Sequence, residues 1–152
     1  MTAAPAATAP SAAEPERLLI AVRLEAAGGH DARYLLLRWP DWPHPTLLSC
    51  AAPPAGEPLA LAVRALLDAR LRLRLDGEPR AAARRLPVRM ARPREGAQGV
   101  GWLRPVAARA VGEPEPDGLL AGVEALPLEQ ALAALPTALE RQALREAAAL
   151  FD

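Results

Sequence analysis

The chain has 152 residues, enough for one domain with a real core and short for two, and 18 basic residues balance 18 acidic ones. Zero formal net charge argues against a general nucleic-acid or membrane-surface binder, which carries a basic excess or a basic face. The single cysteine, Cys50, leaves no internal disulfide, and no apolar run approaches the roughly 18 residues that span a bilayer.

Residues 1–16 are Ala, Pro, Thr and Ser with two glutamates. They offer too little apolar surface to offset chain entropy, so they read as a disordered tail ahead of a folded domain over 17–152. The tail has no basic start and no leucine-rich stretch, so it is no secretory signal, and the cytoplasm is the default location. Leu18 to Leu24 is a short apolar run with β-branched members and predicts a strand. Ala26 to Asp31 contains Gly28-Gly29 and His30 and reads as a turn. Tyr34 to Trp39 predicts a second strand, completing a hairpin.

Six prolines fall within residues 40–58, which excludes continuous helix or central strand and leaves a long stiffened loop. Inside it, Thr46 to Cys50 is apolar enough to pair. The first clear helix runs from Glu57 to about Arg70, with Leu59, Val63, Leu66 and Leu67 on one stripe. Leu71 to Leu75 then alternates with arginines at strand period, and Asp76-Gly77 reads as a turn. Arg84 to Met90 is a weak strand, and Arg92 to Gly99 is a loop whose Arg92 and Arg94 suit either phosphate or water. Val100 to Val111 is extended, with Pro105 pointing to an edge or a bulge. Gly112 to Gly118 is a turn, and Gly122 to Leu126 a last short strand. Pro127 opens a helix over Leu128 to Leu135. Thr137 with Glu140 forms a capping-box pattern for the final helix, whose stripe is Leu139, Ala143, Ala147, Leu150 and Phe151.

The resulting order, β-β-loop-α-β-β-β-β-α-α, is a mixed α/β arrangement. Tyr34 to Arg38, the Gly56-Glu57 step, the helix around Leu61 to Leu66 and the closing Gly122 to Leu132 stretch together resemble a Nudix domain. The resemblance covers about residues 17–151 and implies an α/β/α sandwich around a mixed β-sheet. It also implies a helix carrying Arg-Glu-x-x-Glu-Glu before a glycine. Those glutamates share a helix face and hold Mg²⁺ or Mn²⁺ for attack of water on a diphosphate.

This chain departs from that pattern. With Arg64 as the motif's arginine, Ala65 and Ala69 stand at two glutamate positions, Asp68 at a third, and Leu71 at the glycine. From Glu57 to Arg64 is one residue shorter than the motif expects. Glu57 and Asp68 are the candidate metal ligands. Otherwise, Glu57 is a charge favouring the helix start, and Asp68 a partner for Arg64 or Arg72. Trp39, Trp42 and Arg64 are the candidate ligand-binding residues, the tryptophans serving either as a stacking platform or as cover for the core edge. The expected function is a Nudix-like domain with an eroded metal box that binds a nucleotide-type ligand or a partner with little or no hydrolysis. The alternative is an active hydrolase of a nucleoside diphosphate linked to another group, using atypical Mg²⁺ or Mn²⁺ ligands. A nucleotide-like small molecule and a second copy of the chain are the partners this reading allows.

Overall fold

A computed structural model describes residues 16–25, 32–92 and 97–151. Most of the proposed tail, the turn containing His30, and Arg94 lie outside the described residues, as does the Arg92 side chain.

Seven strands and three helices are seen among the described residues. They are β1 (Glu16–Glu25), β2 (Ala32–Arg38), β3 (Leu48–Ala51), α1 (Leu59–Leu71), β4 (Arg74–Ala81), β5 (Leu86–Arg92), β6 (Ala97–Val111), β7 (Gly122–Leu126), α2 (Leu128–Ala134) and α3 (Ala138–Ala149). The strands form one sheet in the order β4-β6-β1-β2-β7, with β3 beside the first half of β1 and β5 beside the first half of β6. Among the described strands only β1 and β6 pair parallel, in register from Glu16 opposite Trp102 to Leu24 opposite Ala110. The other pairs are antiparallel, so the sheet is mixed, as expected.

The near-continuous apolar run of β1 follows from burial on both faces. Leu18, Ile20 and Val22 point to one face, where they meet Val63, Leu67 and Leu71 of α1. Leu19 and Ala21 point to the other, where they meet Ala131 and Leu132 of α2 and Ala143, Leu144 and Ala147 of α3. The two cores make the α/β/α sandwich that the pattern implied. No helix among the described residues is long and apolar enough to cross a membrane.

Several local expectations need correction. Glu16, assigned to the tail, opens β1, and Arg104 and Arg85 hold its carboxylate at 3.3 and 3.5 Å. Asp76-Gly77 is not a turn that ends the strand. It lies inside β4, where the register against β6 slips between Asp76 and Arg80 and Gly77 takes φ 78°. A glycine at positive φ within a register slip is a bulge, which bends an edge strand without ending it. Pro105 is not on an edge, because β6 lies between β1 and the β4–β5 side. It sits at the junction where the β5 ladder ends at Leu103 and the β4 ladder begins at Val106. Its carbonyl accepts from Ala82 N–H at 2.8 Å, so its missing donor faces the gap between two partner strands.

Candidate functional site

The approach to α1 is built by turns. Gly56 adopts φ 91°, open only to glycine without strain, and the Glu57 N–H donates to Pro54 O at 3.1 Å. Pro58 caps the helix with extended backbone and no side-chain bond. Val63, Leu67 and Leu71 are fully buried one turn apart, and this stripe fixes how the rest of α1 is presented.

The far end of α1 closes on Arg72, which takes the left-handed conformation, with φ 54° and ψ 39°. It is the one non-glycine residue at positive φ among the described residues. Such a conformation costs a side-chain-bearing residue roughly 1–2 kcal/mol. Here it lets the Leu73 N–H return to Leu67 O at 3.2 Å and drops Leu73 into the core. The last carbonyls of the helix would otherwise lack donors. The loop after β6 supplies them: Glu115 N–H reaches Leu71 O at 2.8 Å, and Asp117 N–H reaches Arg70 O at 2.9 Å.

Arg70 faces that loop. Its guanidinium donates to the Asp117 carboxylate at 2.7 Å and lies 5.9 Å over the Trp39 ring. The Trp39 indole N–H donates to Thr46 Oγ1 at 2.9 Å, and the ring packs against the core that contains α1. The Arg70 hydrogen bond, helped by backbone N–H groups of Leu119 and Leu120, holds the Asp117 carboxyl below the usual aspartate range. Sequence reading passed over both residues. Asp117 sat in a stretch read only as a turn, and Arg70 was read only as the end of a helix.

Arg64 and Asp68 occupy the opposite flank of α1. At about 100° per residue, Arg70 stands some 240° round the helix from Arg64. Arg64 and Asp68 line a cleft of about 530 Å³ with Leu61, Ala65, Leu73, Arg74 and Leu75. Asp68 also borders a second groove with Ala69, Arg72 and Glu115. No ion pair joins Asp68 to Arg64 or Arg72. Arg64 is therefore not brought to Trp39, which lies under Arg70 on the other flank. Trp42 is 55% exposed in the loop beyond Trp39. Glu57 is exposed in the turn before α1. No group of three His, Cys, Asp or Glu among the described residues is arranged to hold a metal ion. Burial pushes the Cys50 thiol up, with Arg17 opposing.

The architecture matches solved structures closely enough to place the fold. A C. elegans Ap4A hydrolase aligns over 90% of this chain and 97% of its own, at TM-score 0.62 and 15% identity. The chain has the Nudix fold. An E. coli dihydroneopterin triphosphate pyrophosphohydrolase aligns over 86% of this chain and 92% of its own, at TM-score 0.62 and 12% identity. A MutT protein from Bacillus halodurans aligns over 86% and 80%, at TM-score 0.56 and 15% identity. Neither a family model nor a curated protein sequence matches, so the likeness of this Nudix-like domain to these enzymes is one of fold.

Proposed function

We propose that this Nudix-like domain binds a nucleotide-type ligand without metal-dependent hydrolysis, and that Arg70 supplies the positive charge a metal would bring. The observation that carries this reading is the left-handed residue at Arg72. A Nudix helix ends in a glycine, the residue suited to that conformation. Placing the motif's glycine at Arg72 moves the frame by one residue and also restores the expected spacing from Glu57. The motif's arginine then falls on Ala65, its first glutamate on Leu66, and its closing pair on Ala69 and Arg70. Asp68 leaves the ligand set.

In that frame the donor set does not fit Mg²⁺ or Mn²⁺, hard ions that need several oxygens. Leu66 packs on the core, Ala69 has no donor, and Arg70 carries the same sign of charge as the metal. A guanidinium already held by Asp117 and Trp39 is poised to receive phosphate oxygens while keeping its structural partners. The exposed Trp42 ring, in the adjoining loop, is the surface available to a base. Stacking on such a ring contributes roughly 1–3 kcal/mol.

The test is tryptophan fluorescence during titration with nucleoside diphosphates and dinucleotides, with and without a chelator. Binding should survive the chelator, weaken in Arg70→Gln and Trp42→Ala, and leave the nucleotide intact by chromatography. Metal-dependent release of a cleaved product would restore the hydrolase. No response in the folded protein would remove the nucleotide.

A further inference from the structure

We propose that the cleft between α1 and β4 is a separate binding site for a free aliphatic monoanion, a hydrocarbon chain ending in one negative charge. The cleft lies on the flank of α1 away from Arg70, so this inference is independent of the nucleotide reading. Its walls are four apolar side chains, Leu61, Ala65, Leu73 and Leu75, and three charged ones, Arg64, Arg74 and Asp68. Among the described residues, no aromatic ring, hydroxyl or amide side chain lines it, so none of its described walls stacks on a base or reads a sugar. It does have aliphatic wall, including Leu61 left 50% exposed.

The charges select the head group. The side chains of Arg64 and Arg74 make no hydrogen bond or ion pair with any described residue. Guanidinium groups bind carboxylate or phosphate oxygens in a two-pronged geometry that lysine cannot match. Two guanidinium groups against the Asp68 carboxylate leave a single positive charge, which matches a singly charged head and disfavours a diphosphate. The volume, about 530 Å³, lies within the range of small-molecule sites.

The probe is a series of free fatty acids, hexanoate, octanoate and decanoate, titrated into the full chain by calorimetry below their micelle concentrations. Affinity should rise about fourfold for each methylene that enters the cleft. Arg64→Gln and Arg74→Gln should each weaken decanoate about tenfold, the loss expected for one charge-assisted hydrogen bond. Asp68→Asn should tighten binding and admit a doubly charged alkyl phosphate. Leu61→Ser should remove the chain-length dependence while leaving the fold, read by circular dichroism, unchanged. Equal affinity across the series, or decanoate binding unchanged in the Arg64→Gln/Arg74→Gln double variant, would overturn the proposal. So would binding only to phosphatidylglycerol vesicles, which would assign the arginines to a membrane surface.

Discussion

Arg70 and Asp117, 47 residues apart, hold each other twice: side chain to side chain at 2.7 Å, and Asp117 N–H to Arg70 carbonyl at 2.9 Å. The pair ties the end of α1 to the loop after β6. Because Arg70 also lies over Trp39, it ties both to the loop after β2. Three segments distant in sequence thus meet on the flank where the shifted motif frame would put metal ligands.

This latch should be sensitive to acid. The Asp117 carboxyl titrates lower in the folded chain than in the unfolded one, mainly through its hydrogen bond from Arg70. A lowered folded value means the stabilisation is present at neutral pH and is lost as pH falls through that value. Asp117→Asn should therefore lower the thermal midpoint at neutral pH by a few degrees. The gap to the parent should narrow once pH drops below the ordinary aspartate value of about 3.9. Midpoints measured across pH would refute the latch if the gap were independent of acid.

Glu140 should behave with the opposite sign. Burial raises its carboxyl, against the lowering effects of Thr137, Arg141 and His44. A raised folded value costs stability at neutral pH, and the cost disappears as pH falls through the ordinary glutamate range. Glu140→Gln keeps an acceptor for the Thr137 hydroxyl, now 3.1 Å from Glu140 Oε1, and removes the charge. It should raise the midpoint slightly at pH 7 and leave it unchanged near pH 4, where glutamate with an unperturbed value of about 4.3 is already largely protonated. A fall at neutral pH would show that the charge is needed by the neighbouring cations.

The motif frame can be read out with metal. If Arg72 marks the motif's glycine, Ala69→Glu with Arg70→Glu recreates the closing glutamate pair and should generate Mn²⁺ binding seen by calorimetry. Ala65→Glu with Ala69→Glu, the pair required by the frame that starts at Arg64, should not. Binding only in the second variant would return Asp68 and Arg64 to the site. The parent should show no tight Mg²⁺ or Mn²⁺ site, and a micromolar site lost in Asp68→Asn would contradict this.

Packing and capping give two stability tests. Leu67 is fully buried between α1 and the sheet, and Leu67→Ala should cost about 2–5 kcal/mol in denaturant unfolding. Thr137 Oγ1 accepts the Glu140 N–H at 3.1 Å, and Thr137→Ala should cost about 1 kcal/mol. A cost below about 0.5 kcal/mol for Leu67→Ala, within the range of surface substitutions, would mean that α1 does not seal this face.

Local pattern carried much of the fold. The apolar period of Leu59 to Leu67, the Thr137-Glu140 cap and the hairpin of β1 with β2 were legible because a helix turn, a cap and a hairpin each involve neighbours in sequence. The departure from the Nudix pattern is visible as residue types, Ala65, Ala69 and Leu71 standing where a frame that starts at Arg64 wants glutamates and glycine. What the sequence could not place were the contacts made across the sheet. Pro105 points to an edge or a bulge in sequence, because a proline lacks a donor. Only the β4–β5 junction beside it explains why a central strand tolerates that loss. Composition does not reveal which backbone turns left-handed at the end of α1. That turn falls at Arg72, with Leu73 packed into the core behind it. The same holds for Arg64 and Trp39. The sequence put both beside one helix, but the burial of Val63, Leu67 and Leu71 rotates that helix so that its two flanks face different loops. Periodicity determines that a helix has a buried stripe, whereas the partners of its exposed flanks depend on strand pairings between residues tens of positions apart.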